Sequence, residues 1–294
     1  MVNATFLKIA ALNNNVEIIN LLLSDKRIII GPSCFINCDK LTHISIPSSI
    51  TSISDRAFYN CSSLIEITFA LNLKSIGEYA FSECSSLTQI SFPPTLETIG
   101  KYAFNNCVSL KHAEIPSVYL IRSSAFNNCA SLEMVSISQS LKSIEDNAFR
   151  RCKLLKWISI PLTLETIGNN AFSECSSLET ISFSNSLSTI GKYAFSECSK
   201  LKQVLYISNV TSIGDYAFFK CSSLTDISIP SFTYSIGEYT FYGCSSLKQI
   251  ELSSFVKSIE KYAFDGCSSL TNITNQFATF SIRSYAFNGC SSLK

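Results

Sequence analysis

Apolar side chains return along this chain on a 23-residue cycle, and two spacings alternate within each cycle. Residues 73–94 show the unit: Leu73, Ile76, Gly77, Ala80, Phe81, Cys84, Leu87, Ile90, Phe92 and Pro93. In a later copy, Ile158 and Ile160 alternate with Trp157 and Ser159, the two-residue period of a strand. Pro161 closes that strand, because proline has no N–H to continue a ladder. The segment recurs eleven times, up to about residue 275. Strands that recur with a return path between them must run parallel. A second apolar pair, Leu164 and Ile167, precedes Gly168, and the Ile-Gly step recurs at 76–77, 99–100, 190–191, 213–214 and 236–237. Glycine there predicts either a positive φ or close packing against the next coil. The stretch 171–175 reads as one short helical or 3₁₀ turn on the return side.

The cycle is marked most sharply by cysteine. Twelve cysteines, from Cys38 to Cys290, are spaced by 23 residues at every step except Cys107 to Cys129, which is 22. A Phe stands three residues before each and a Leu three residues after, as in Phe58-Cys61-Leu64, Phe81-Cys84-Leu87 and Phe172-Cys175-Leu178. Cysteine at one fixed phase forms a row inside the coil, where a free thiol behaves as a small hydrophobe. Rungs about 5 Å apart are within disulfide reach. Parallel, identically oriented thiols would still have to distort the backbone to pair, so reduced core thiols are expected. Cys34, outside the row, is the candidate reactive thiol.

One rung cannot bury its own apolar face, whereas a stack can, and a period of 20–29 residues is that of a leucine-rich solenoid. The recurring Leu-x-x-Ile-x-Ile-Pro-x-x-Leu-x-x-Ile-Gly-x-x-Ala-Phe-x-x-Cys resembles the BspA-like leucine-rich repeats of bacterial and protozoan surface proteins, over about residues 32–294. The resemblance implies a curved right-handed coil with a parallel sheet on its concave face and short strands and turns on the return side. It also implies adhesion to host proteins, extracellular matrix or other cells, and a cell-surface or secreted location. Residues 1–31 differ: residues 7–28 read as two short helices joined at Asn13-Asn14-Asn15, a helical cap with ankyrin-like wording. Residues 32–294 hold about eleven to twelve repeats, and Leu293-Lys294 stops where another strand is due. That predicts a truncated carboxyl end and an uncapped edge able to pair end to end with another copy.

Composition narrows the function. The net charge is +1 with 15% charged residues, so no basic stripe draws nucleic acid. No apolar run approaches the roughly 18–20 residues that span a bilayer, and the amino terminus does not read as a signal peptide. His43 and His112 share a column but stand three rungs, about 15 Å, apart. No catalytic set, phosphate loop, metal cluster or cofactor site is legible, so a non-enzymatic protein-binding domain is expected.

The candidate contact surface lies in the strand columns. Five and seven residues after each Cys, side chains point out of the sheet; most are small and polar. Near the middle stand Met134 and Trp157, the only Trp, with His112 beside them and Glu114 two residues on. Lys111, Glu133 and Lys156 flank them. An exposed aromatic ringed by polar groups is the composition of a protein-binding hot spot. The short repeat at 108–129, lacking one residue around Tyr119-Leu120-Ile121, is expected to bend the coil nearby. The alternative to a surface adhesin is an intracellular, cytoplasmic interaction scaffold, which the missing export signal and reduced cysteines favour. Sequons at Asn3, Asn60, Asn209 and Asn272 leave the compartment open, and Asn60, beside Cys61, is expected to be inaccessible.

Overall fold

The structure, a computed structural model, describes residues 2–116, 118–205, 207–275 and 281–294. Among the described residues, two helices, α1 (Val2–Leu12) and α2 (Val16–Leu23), precede twenty-two short strands, two per coil. Asn15 caps α2 by accepting from the Ile18 N–H at 3.1 Å. Leu7, Ala10, Ala11, Ile19 and Leu23 of the helices join the same buried core as the coils, and Asn14 hydrogen-bonds Thr42 beside the first strand. The helical pair therefore covers the apolar edge of the first coil.

Each coil has three edges, and hydrogen bonds tie most of these edges to the next coil, with the front and back rows each divided into three sheets. The front row begins at His43–Ile46 and ends at Asn272–Asn275. Its register advances by 23, as in Ile44↔Ile67, and by 22 at the short coil, His112↔Met134. The burial alternates strictly, as in His43 out, Ile44 in, Ser45 out, Ile46 in. The back row, from Ser52–Ile53 to Ser281–Ile282, pairs in the same manner.

The third edge carries no strand and no helix. The expected helical or 3₁₀ turn at 171–175 takes the tighter form, with bonds at the three-residue spacing: the Ser173 N–H bonds Asn170 O at 3.1 Å and the Cys175 N–H bonds Phe172 O at 3.1 Å. Two residues per turn region stand in the left-handed conformation, such as Asn170 (φ 55) and Glu174 (φ 63). This swings alternate N–H groups along the stack axis. Asn170, Phe172 and Glu174 donate to Lys192, Ala194 and Ser196 of the next coil at 2.7–2.8 Å. A helix would close those bonds on itself and leave the coils untied at this edge.

Inside, the ladder is continuous. Phe35, Phe58, Phe81 and their successors to Phe287 stack ring on ring, with centroids 4.7–5.5 Å apart and planes within 13°. Phe58, Cys61, Leu64, Phe81, Cys84, Leu87, Phe172, Cys175 and Leu178 are all fully buried. All thirteen cysteines are free thiols. They are more than hydrophobes: Cys175 Sγ donates to Phe149 O at 3.1 Å, and the same bond, 26 residues back, recurs from Cys61 to Cys290. Cys34 is buried, and burial pushes its thiol up to about 11, away from the thiolate that a reactive cysteine needs.

The Ile-Gly glycines serve close approach, not positive φ. A Cβ on Gly191 would lie 2.6 Å from the carbonyl carbon of Gly168 in the coil below. The positive-φ glycines are Gly243, Gly266 and Gly289, one residue before a ladder cysteine, where other coils place Asn, Glu, Arg or Lys. The short coil loses its residue in the loop between His112–Ile115 and Leu120–Ile121, whereas Leu120-Ile121 itself pairs normally with Ser143-Ile144. The back row breaks there, between Thr98–Ile99 and Leu120–Ile121, while the front row runs through.

Two outcomes are expected. Gly191→Ala forces a Cβ into backbone and should lower stability by about 2 kcal/mol or more, seen as a lowered urea midpoint. The thiols set a pH dependence. Burial raises Cys198 and Cys244 to about 12 from an ordinary value near 9.0. Their stabilisation is complete below pH 9 and lost as pH rises through the folded values, because the unfolded chain releases its protons first. Each such thiol subtracts about 1.4 kcal/mol per pH unit in that window. In reducing buffer the urea midpoint should be flat up to about pH 8.5 and fall steeply above pH 9; a flat profile to pH 11 would contradict the buried ladder.

Candidate functional site

The seven candidate contact residues fall on three adjacent coils of the front face. His112, Met134 and Trp157 are directly opposed across the ladder, His112↔Met134 and Met134↔Trp157. The strand alternation puts Ala113, Val135 and Ile158 inward and these three outward. Met134 and Trp157 are 49% and 50% exposed, which leaves half of each side chain open to a partner. Glu114 lies two residues beyond His112, opposite Ser136.

Lys111, Glu133 and Lys156 form the flanking column, their backbones linked by Glu133 N–H to Lys111 O and Lys156 N–H to Glu133 O, both 2.9 Å. Lys156 Nζ meets Glu133 Oε2 at 3.0 Å. That hydrogen bond, then the Lys156 charge, hold the Glu133 carboxyl below its usual range, with His112 and Lys111 adding to the effect. The result is a ring of charge, two lysines around one carboxylate, against an apolar Met–Trp centre. On the other side, His112 and Glu114 help line an open depression of about 490 Å³ with Glu66, Thr68, Gln89 and Ser91. The Trp157–Ile158 strand is also the last of the six-stranded front sheet; the next front strand, Thr180–Ser182, starts a new sheet.

Among the described residues, no three His, Cys, Asp or Glu side chains converge on a point that could hold a metal ion. His43 lies on the first front strand and His112 on the fourth, so they do not meet. None of the described helices is long and apolar enough to cross a membrane. Asn60 is exposed, contrary to expectation: its side chain donates to Asn37 Oδ1 at 3.0 Å on the turn face, while Cys61 turns inward. Asn209 and Asn272 are exposed too, whereas the side chain of Asn3 lies outside the described residues.

Sequence reasoning missed a second outward feature. Tyr193, Tyr216, Tyr239, Tyr262 and Tyr285 stack at 4.5–5.2 Å along the turn face, all at positive φ. Burial against their neighbours raises the Tyr216 and Tyr239 phenols. The signal was present as a Tyr five residues before five successive cysteines.

A model of the BspA type leucine rich repeat region matches in six copies, over residues 7–133, 119–232 and 211–294. The chain belongs to the BspA-type leucine-rich repeat family. Its fold is similar to a leucine-rich repeat protein from Bacteroides ovatus, at 29% identity and a TM-score of 0.70, covering 91% of this chain and 81% of that one. It also resembles a leucine rich cell surface protein from Faecalibacterium prausnitzii, at 31% identity and a TM-score of 0.54 over 90% and 81% of the two chains. A pneumococcal vaccine antigen shares the fold at 22% identity and a TM-score of 0.57, over 86% and 73%. No curated protein matches.

Because Trp157 is the single tryptophan, its emission reports on this surface alone. Acrylamide should quench it in the folded protein within about twofold of its efficiency in the unfolded chain; strong protection would mean the indole is covered.

Proposed function

We propose that this leucine-rich repeat domain binds proteins through its front sheet, with Met134 and Trp157 as the centre and Lys111, His112, Glu114, Glu133 and Lys156 as the polar surround. The observation that carries this reading is the half-exposed Met–Trp pair on a sheet whose other outward side chains are mostly polar, with Leu205 the apolar exception. Exposing an indole to water brings a lone stack of coils no stability, while in an interface such a residue, ringed by polar groups, supplies most of the binding energy. The flanking charges would set orientation and encounter rate more than affinity.

We place the domain at the cell surface, as an adhesin contacting host-cell or matrix proteins. The similarity to a protein described as a cell surface protein supports this location. A second reading, an intracellular scaffold using the same face, draws on thirteen free thiols, which suit a reducing compartment. Labelling intact source cells with a membrane-impermeant biotin reagent separates the two: label without lysis supports the adhesin, label only after lysis the scaffold.

The contact surface has its own test. Trp157→Ala and Met134→Ala should leave the melting temperature within a few degrees of wild type, since both side chains are half in water. Binding to a partner captured on the wild-type domain should weaken by at least tenfold, about 1.4 kcal/mol or more. Unchanged affinity in the double variant would remove this patch as the site.

A further inference from the structure

Eleven residues after each ladder cysteine, the loop leaving the front strand usually carries a small polar side chain. There Asn72, Thr95, Ser140, Thr163 and Asn209 each donate to a backbone carbonyl of the preceding coil. Thr163 Oγ1, for example, reaches Gln139 O at 2.9 Å and Leu141 O at 2.7 Å. In two successive coils this position is aromatic instead: Phe232 and Phe255. Neither can make the bond. They stand 60% and 54% exposed, their rings 5.9 Å apart and inclined by 48°. The fold gives up a coil-to-coil hydrogen bond and leaves apolar rings in water.

Beside these rings is an open depression of about 380 Å³, walled by Ser208, Ser228, Ser231, Glu251, Ser253 and Phe255. The front sheet is interrupted there, strands Asp226–Ile227 and Gln249–Leu252 being joined by a single bridge, Ser228↔Glu251. On the wall, Ser208, Ser228 and Ser231 are exposed, while behind them Ser253 Oγ is shielded from solvent and has no hydrogen-bond partner among the described residues. Such a hydroxyl is an exception in folded proteins and leaves a donor and an acceptor unused.

The wall chemistry selects the ligand class. Serine hydroxyls both donate and accept, and a ring face packs on C–H groups. None of the described lining residues is cationic, so none of them would hold the carboxylate of an acid. The volume falls in the lower part of the roughly 300–1,000 Å³ range of small-ligand sites. The geometry points to a binding site for a neutral hexopyranose, with its hydroxyl edge on the serines and its C–H face against Phe255. The site lies three coils beyond Trp157 and stands or falls independently of that patch.

Saturation-transfer NMR on the full chain with methyl glucoside, methyl galactoside and methyl mannoside tests it. At least one should receive saturation at its ring protons, and methyl glucuronide should receive none. Phe255→Thr restores the side chain that Thr95 and Thr163 place in their own coils, and should keep the melting temperature while reducing transfer at least fivefold. Ser231→Leu, which fills the depression, should do the same, and Trp157→Ala should leave the signal unchanged. No transfer from any of the three neutral glycosides overturns the proposal. So does a signal that survives both Phe255→Thr and Ser231→Leu, or glucosamine outcompeting the neutral sugars, which would make this an amine site built on Glu251.

Discussion

The structure depends on register between consecutive coils. On every hydrogen-bonded edge, the front row, the back row and the turn face, the pairing repeats on a step of 23 residues, or 22 at the short coil. The phenylalanine stack and the thiol-to-carbonyl bonds run on the same step. Because a coil touches only its neighbours, stability is close to a sum of equal coil-to-coil terms. Each term combines a fully buried Phe, worth about 1.5–3 kcal/mol in burial alone, with backbone bonds on three edges. A residue that disturbs register therefore damages a junction rather than a site. The short coil shows the tolerated limit: its deletion is absorbed in one loop and breaks the back row, while the front row and the Phe stack continue.

Much of this was legible in the sequence because the forces are periodic. Inward Ile, Leu, Phe and Cys recur at one phase, so the core, the parallel strands and the free thiols followed from spacing. The turn face did not. A run such as 171–175, with Ala, Phe, Ser and Glu, has no local signal against a helical turn. What decides against it is the next coil, whose carbonyls accept N–H groups that only left-handed residues can aim along the axis. That conformation is uncommon for a residue as bulky as Tyr, yet Tyr193, Tyr216, Tyr239, Tyr262 and Tyr285 adopt it. The stacked neighbouring rings, and for Tyr193, Tyr216 and Tyr239 an N–H bond to the next coil, offset the cost. Both are tertiary, so single-residue preference misses them.

The candidate site was half legible for the complementary reason. Outward columns take no part in the core, and an unusual residue in them stands out by composition: Trp157 in a mostly polar column. Its neighbours on adjacent coils followed from the register alone. The Glu133–Lys156 pair and the depression beside His112 needed side-chain coordinates.

The two outward features differ in what they say about selection. The fold is indifferent to the column that holds Trp157: Thr180, Gln203 and Asp226 serve there equally well. An aromatic in such a column costs little, and its presence is correspondingly modest evidence of use. The column that holds Phe232 and Phe255 is one the fold uses, since in five coils a polar side chain there ties the loop to the coil below. Replacing that tie by an exposed ring works against the stack twice, by removing a bond and by wetting apolar surface. In a solenoid built on a repeated pattern, a departure that the fold opposes is the stronger physical argument for a ligand than a residue the fold merely permits.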